Sequence, residues 1–517
     1  MTISKNPATQ EILGEIPEQS VEELHHAVRL ARIAQLEWAQ RSTKERARCL
    51  YKMRDYLVDH IDEIAGIISK ETGKTRMDAL STEVLSTAMA ITYYAKSARR
   101  VLKRKRLGAG NLLTINKRSS IERVPFGVVG IISPWNYPFG IPFHEIAMAL
   151  ITGNGVVLKV ASNTLLVGNA IREVVAAGGI PSNLFHLINL PGSVAGDAFL
   201  ESGINKLFFT GSVAVGKQLM AKAAERLIPV SLELGGNDAM IVCRDANIHR
   251  AAGGALWAGL SNAGQSCAGV ERLFVEKEIY DSFVKELKQR LDTLTQGVDR
   301  DWDVDIGSLT TEQQFKKVSS HVEDAVNKGA SVYPSMDVLK KKTHGLFYPP
   351  VLLENVDDSM TVMQEEIFGP VIAIRKVENI DEAITMANNS SLGLSASVWT
   401  TDRRKGRSIA SRLESGAVMI NDHLMSHGLA ETPWGGFKES GIGRTHSELG
   451  LEEMTQPRVV IDDILPGVQK NMWWYPHNKA VYEGLRGALY FLYSKDLLLR
   501  IRGGMKLVRV FLRTFTR

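Results

Sequence analysis

The chain is poor in cysteine. It has three in 517 residues, Cys49, Cys243 and Cys267, odd in number, far apart and without a CxxC pair. That pattern excludes a disulfide framework and a thiolate zinc site, predicts no metal, and points to a reducing compartment. Long apolar runs are also missing. In the tail no uncharged run approaches the ~20 residues that span a bilayer, and Met1 to Pro7 lacks the apolar core of a signal peptide, so a cytoplasmic location is expected. Charge of one sign is scarce over most of the length. The net charge is +5, but nine Lys or Arg against two acids between Lys479 and Arg517 contribute +7, leaving −2 on the first 478 residues. A nearly neutral body excludes general nucleic-acid binding and confines the basic feature to a tail.

What is present reads as an ordinary soluble protein of two or three domains, with 44% hydrophobic and 23% charged residues. From Val21 to Arg106 apolar positions recur at three and four, predicting successive helices. Leu112 to Val124 changes to a hairpin pattern with a turn at Lys117-Arg118-Ser119-Ser120. From Gly127 short apolar strands alternate with helices: Val128 to Ile132, Gly155 to Val160, Leu184 to Leu190, Lys206 to Thr210 and Ile228 to Leu232. This is the βαβ pattern of a doubly wound parallel sheet. A second alternating region runs from Ala239 to about Asn421, with strands near Ala239 to Cys243, Arg272 to Val275, Val371 to Arg375, Ser397 to Trp399 and Ala417 to Ile420. No internal repeat or low-complexity linker occurs. The two α/β regions are expected to meet across a cleft.

Within this frame Cys267 lies in Asn262-Ala263-Gly264-Gln265-Ser266-Cys267, and Glu233 in Glu233-Leu234-Gly235-Gly236. A thiol and a carboxylate, each among small residues, supply the nucleophile and the base of an acyl-transfer reaction. An inert buried cysteine and a helix-capping acid are the plainer readings of the same residues, and Cys49 and Cys243 fit the first of them. Phe208-Phe209-Thr210-Gly211-Ser212 follows a strand and opens a helix. Gly211 and Gly216 would admit a phosphate at the helix N-terminus, although the motif is not GxGxxG and an ordinary turn is as good a reading. Asn136 in Pro134-Trp135-Asn136-Tyr137-Pro138 offers an amide to a developing oxyanion, or simply makes a turn.

Taken in order, Pro134 to Pro138, Phe209 to Ser212, Glu233 to Gly236, Gly264 to Cys267, Glu366 to Pro370, Asn421 and Pro433 to Arg444 resemble the aldehyde dehydrogenase superfamily over roughly residues 5 to 460. The resemblance implies an α/β fold with a Rossmann-like cofactor domain (1–106 and 125–234) and a second α/β catalytic domain (235–435). It also implies a β oligomerisation module (107–124 and 455–465) that makes a homodimer or homotetramer. It assigns Cys267 as nucleophile, Glu233 as the base for hydrolysis, and Asn136 with the Cys267 backbone N–H as oxyanion donors. NAD or NADP would be held by Ile132, Ser133 and Trp135 near the pyrophosphate, Gly211 and Ser212 at the phosphates, Lys159 at the adenine ribose, and Glu366 with Phe368 at the nicotinamide ribose. The expected product is a free carboxylic acid.

Three departures sharpen the expectation. Ser162 stands where NAD-preferring relatives commonly carry Glu, so NADP should be tolerated. Ser261 stands where succinic semialdehyde dehydrogenases place an Arg, which disfavours a small acidic aldehyde; the expected substrate is apolar, a fatty, aromatic or isoprenoid aldehyde of the kind a membrane-lying tail would suit. Thr445 replaces a second acid, leaving water handling to Glu233. Succinic semialdehyde oxidation and a catalytically silent binding protein are the alternatives. The last stretch, 466–517, is an addition: Val481, Leu485, Leu489 and Leu492 fall at helical spacing, and after Gly503-Gly504 so do Lys506, Arg509, Arg513 and Arg517. A basic amphipathic segment of this kind fits an anionic membrane surface through residues 470–517, or wraps a partner subunit.

Overall fold

A computed structural model of the protein describes residues 1–339 and 344–515. Two compact units form, one from Met1–Lys103 and Arg123–Gln456, the other from Arg104–Glu122 and Pro457–Arg517.

The larger unit contains two parallel sheets. In the first, the strand order is Gly441–Ile442, Val230–Glu233, Lys206–Thr210, Val128–Ile132, Gly155–Lys159, Phe185–Leu187, with only the Gly441–Ile442 edge antiparallel. In the second it is Ser331–Tyr333, Val351–Glu354, Val371–Val377, Val270–Glu276, Asp238–Val242, Ser395–Trp399, Ala417–Ile420, with Ser331–Tyr333 antiparallel. Strands such as Val128–Ile132 and Asp238–Val242 are buried at every residue. Their unbroken apolar runs are what parallel sheets covered on both faces require. Strand Val128–Ile132 is flanked on one side by Gly155–Lys159 and on the other by Lys206–Thr210. This is a switch point, where loops leaving adjacent strands diverge and open a crevice. Pro134–Asn136 and Gly211–Ser212 leave from these two strand ends.

The helical N-terminal region folds as expected over Val21–Val101, packing around Trp38, Leu50, Met53 and Tyr94. Ala79–Leu85 is wound as a π-helix inside that run. The hairpin differs from its sequence reading. Its first strand is Lys105–Leu107, paired antiparallel with Lys117–Pro125, while Leu112–Thr114 forms a 3₁₀ turn. Lys117 to Ser120 is therefore strand, because Ser119 and Ser120 pair with Leu107 and Arg106.

In the smaller unit Thr455–Asp463 adds to this hairpin as a third strand, and Arg458 bridges Glu122 at 2.8 Å. The tail forms a helical hairpin, Lys479–Tyr493 and Leu497–Leu512. Gly503-Gly504 does not break it. A Cβ on Gly503 would lie 2.4 Å from the Gly487 carbonyl, and one on Gly484 would lie 2.5 Å from Val510. These glycines let the helix backbones touch, and the break falls at Ser494–Asp496, where Asp496 caps the second helix. One face of that helix, with Leu497, Leu498, Ile501, Met505, Val508 and Leu512, is exposed, and Arg502 and Arg509 border it. No helix among the described residues is long and apolar enough to cross a membrane.

Candidate active site

Glu233 ends its strand, and five residues later the chain enters the second sheet at Asp238, so the Glu-Leu-Gly-Gly segment passes between the two sheets. A Cβ on Gly236 would lie 2.0 Å from the Cys267 carbonyl, which explains the glycine and places the cysteine loop against this segment. Gly441–Ile442 pairs with Leu232 and Glu233, and Ser440 Oγ donates to the Gly235 carbonyl at 2.7 Å. The motif from Pro433 to Arg444 thus braces the strand that carries the carboxylate.

The cysteine loop is held in an uncommon shape. Asn262, Ala263 and Gly264 take successive left-handed conformations, with φ of 54°, 53° and 73°. Such strain persists only where surroundings enforce it. Gln265 supplies part of that, donating to the Asn262 carbonyl at 3.0 Å and accepting from the Thr310 N–H at 2.9 Å. Asn262 Nδ2 donates to the carbonyls of Asn136 and Gln265 at 2.9 and 3.1 Å. Asn136 Nδ2 donates to the Gln265 carbonyl at 3.0 Å. One amide N–H is used there, and the second is left for another acceptor.

Beneath Asn136 lies a pair that the sequence reading missed. Lys74 and Glu83, both fully buried, bridge at 2.6 Å, and Lys74 Nζ also donates to the Asn136 carbonyl at 2.7 Å. Glu83 accepts from the N–H groups of Phe139 and Gly140, where helix Gly140–Thr152 begins. A carboxylate at a helix N-terminus is stabilised by the helix dipole. The signal was a lysine and an acid nine residues apart among helix residues, which resembles any solvated helix face.

Burial sets the electrostatics. Both carboxylate oxygens of Glu233 are buried and have no hydrogen-bond partner. Desolvation pushes the Glu233 carboxyl well above the usual range, with Glu145 adding to the effect and Arg444 opposing it. The Cys267 side chain is partly exposed, yet its thiol is pushed up by desolvation and by the nearby Glu366, Asp238 and Glu233 carboxylates. Cys267 therefore rests as a thiol.

Two large cavities and one small one reach Cys267. A cleft of about 430 Å³ is lined by Trp135, Asn136, Gly211, Ser212, Glu233, Cys267, Glu366 and Phe368. Trp135 and Phe368 meet edge to face at 5.5 Å. Glu366 accepts from the Gly236 N–H at 2.9 Å, and Glu271, another residue missed from sequence, holds the Ile367 and Phe368 N–H groups. Ser212 caps helix Val213–Glu225. Ile132, Ser133, Lys159 and Ser162 do not line this cleft. Ile132, Ser133 and Lys159 are buried at or just beyond the ends of adjacent strands, and Ser162 is half-buried. Gly216 has a different task from the one expected. It sits one turn inside the helix, where a Cβ would meet the Leu234 side chain at 2.7 Å, so it serves helix-to-strand packing. The second cavity, about 270 Å³, is a tunnel running from Leu85, Met89 and Trp257 past Leu424 and Met425 to Cys267.

The sequence profile of the aldehyde dehydrogenase family matches residues 2–460. The chain belongs to the aldehyde dehydrogenase family. It is 34% identical over 495 residues to a 4,4'-diapolycopene aldehyde oxidase of Methylomonas sp, covering 96% of this chain and 92% of that protein. It is 37% identical over 449 residues to a putative NADP⁺ succinate-semialdehyde dehydrogenase of Mycolicibacterium smegmatis, covering 87% and 86%. Among solved structures, the NAD⁺ complex of an aldehyde dehydrogenase from Bacillus cereus superposes with a TM-score of 0.85 at 32% identity, covering 89% of this chain and 93% of that one.

This aldehyde dehydrogenase is an oxidoreductase that uses NAD or NADP, and its α/β fold is that of the family. The cleft fits a dinucleotide. Its volume lies in the range of small-molecule sites, the N-terminus of a 13-residue helix opens at its wall, and the Thr210 hydroxyl on its lining is buried without a protein partner. Among the described residues no group of acidic, His and Cys side chains could hold a metal.

Proposed function

We propose that the enzyme oxidises an apolar aldehyde, fatty, aromatic or isoprenoid, to its carboxylic acid. The observation that carries this reading is the tunnel ending on Cys267. Its walls include Leu85, Met89, Ile141, Trp257, Leu424 and Met425, it has no Asp, Glu, Lys or Arg, and burial pushes His427 down to about 4, leaving it neutral. A substrate carboxylate in this tunnel would be buried without a cation, a situation that costs about 3–5 kcal/mol. A separate outer cavity, which shares Ser81 and Trp257 with the tunnel, is lined by Ser261 and Asp78, and there the Ser261 hydroxyl donates to the Asp78 carboxyl at 2.9 Å. Arg290 reaches the outer cavity but bridges Glu286 at 2.6 Å.

In this reading residues 1–106 and 125–234 bind the cofactor and 235–435 carry the chemistry. The Cys267 sulfur adds to the aldehyde carbon as its thiol proton leaves, and the oxyanion takes hydrogen bonds from the free Asn136 N–H and the Cys267 backbone N–H. The nicotinamide, when bound, supplies the hydride acceptor. Glu233 then removes a proton from water as the oxygen bonds to the thioester carbon and the C–S bond breaks. Ser162 leaves the ribose side without a carboxylate, so NADP is accepted. The antiparallel hairpin and Thr455–Asp463 are the surface for a homodimer or homotetramer.

The tail's exposed apolar face, bordered by arginine, suits an anionic membrane surface, which would deliver an apolar aldehyde. A match covering 96% of this chain runs into 466–517, so the 4,4'-diapolycopene aldehyde oxidase shares part of this segment. The putative succinate-semialdehyde dehydrogenase supports the second reading. An aldehyde panel of short, aromatic, long-chain and acidic members, each with NAD and NADP, decides between them. We expect the highest kcat/KM for a long apolar aldehyde. Succinic semialdehyde at the top of the panel overturns the reading, and no turnover of any aldehyde by the parent points to a silent relative.

A further inference from the structure

Aldehyde oxidation with water yields a carboxylate, a reduced nicotinamide and two protons, one from the thiol and one net from water. Both have to leave the site, the second from the buried Glu233. Beside Glu233 lies a small cavity of about 20 Å³ lined by Glu145, Glu233, Cys267, His144, His427 and His446. That volume holds one water, and the lining offers the two to four polar partners such a water needs.

Several side chains around the cavity are unpartnered. Glu145 is 2% exposed and its Oε2 has no hydrogen-bond partner. The same is true of both Glu233 oxygens, His144 Nε2 and His446 Nδ1. Buried polar atoms in such numbers at one place require an explanation, and a water exchanging protons provides it. Beyond Glu145 the histidines form a chain: His144 Nδ1 lies 2.7 Å from His446 Nε2, and the His427 and His446 rings are 4.9 Å apart. His427 also lines the substrate tunnel, so the chain ends at a cavity open to the outside.

We propose that Glu145 is the proton acceptor for Glu233, acting through one water in this cavity and passing the proton by way of His144, His446 and His427 to the tunnel. The inference rests on the reading of Glu233 as hydrolytic base. In the step, the attacking water oxygen bonds to the acyl carbon, the Cys267 sulfur leaves, and one water proton goes to Glu233. That proton moves to the cavity water, which gives one of its own to the Glu145 carboxylate, and Glu233 returns to its basic form. Groups facing Glu145 are Tyr94 and His144 from the helices, Glu233 from its strand, His427 from the short helix Met425–Gly428, and Cys267 and His446 from loops. Burial raises Glu145 to about 8, which suits a group that holds and releases a proton near neutrality. Burial holds His144 near 3 and His427 near 4, so the rings relay as neutral donors and acceptors.

Glu145→Gln and Glu145→Asp in the full-length enzyme test the assignment, with Glu233→Gln as control. For Glu145→Gln we expect an unchanged first-turnover burst of NAD(P)H and a steady-state kcat lowered by about 10²-fold. KM should hold, the pH profile of kcat should lose one ionisation, and added formate or imidazole should partly restore the rate. Glu145→Asp should retain more activity than Gln. A kcat, pH profile and solvent isotope effect equal to the parent's overturn the proposal, as does loss of the burst, which would mark a structural role. Turnover retained by Glu233→Gln would instead strike the underlying reading of Glu233.

Discussion

Replacing Glu233 by Gln is the perturbation with the most legible outcome. Neither carboxylate oxygen has a hydrogen-bond partner, so the near-isosteric amide breaks no contact in the fold. Because burial disfavours the charged carboxylate, a neutral amide should leave the melting temperature unchanged or raised. Activity should divide sharply. Thiol addition and hydride loss do not call on this carboxylate, so a burst of NAD(P)H equal to one per active site should survive. Deacylation does call on it, and loss of a positioned base lowers steady-state turnover by about 10²–10⁴-fold, which is about 2.7–5.4 kcal/mol at 1.36 per tenfold. Stopped-flow absorbance of the reduced nicotinamide reads both phases. In the parent enzyme the raised Glu233 carboxyl is neutral, and no base, at acid pH, so turnover should climb as pH rises, and Gln should flatten that limb. Turnover within about threefold of the parent's refutes the assignment. So does loss of burst and turnover together, which would put Glu233 before the acyl-enzyme.

Lys74→Met strands the Glu83 carboxylate in a dry site, for about 3–5 kcal/mol of destabilisation, seen as a lowered denaturation midpoint. Adding Glu83→Leu should recover stability but not kcat, since Asn136 has still lost the Lys74 donor to its carbonyl. Ser162→Glu should lower kcat/KM for NADP relative to NAD by at least roughly tenfold through charge repulsion, measured by initial rates with each cofactor. The Glu145 carboxyl is raised in the folded state, so it favours folding below about pH 4.5, and that contribution is lost as pH rises through about 8. Glu145→Gln should accordingly flatten the decline in thermal stability between those limits. Arg502→Glu with Arg509→Glu should abolish co-sedimentation with vesicles of anionic lipid and spare activity. If deletion of residues 470–517 dissociates the oligomer and leaves vesicle binding intact, the membrane role of the tail fails.

Much of the architecture was legible in the chain because parallel strands buried on both faces must be uninterrupted apolar runs. Val128–Ile132 and Lys206–Thr210 were placed to the residue for that reason. Segments without such a pattern were misplaced. Lys105–Leu107 has no buried residue and reads as a charged helix end, so the hairpin was expected further along. Gly503-Gly504 looks like a break because glycine disfavours helix, yet close contact with the Gly487 backbone requires it there.

Sequence alone determined the reaction class, since a cysteine and a glutamate set among ordered glycine motifs are chemical statements wherever they fall. It also determined that the tail is basic and amphipathic. Only tertiary structure decided what surrounds them. That Lys74 and Glu83 underpin Asn136, that the tunnel to Cys267 lacks charge, and that Glu145 faces Glu233 across a space for one water all depend on residues distant in the chain. Burial, and with it every shifted ionisation, is a property of the packed neighbours and not of the residue itself.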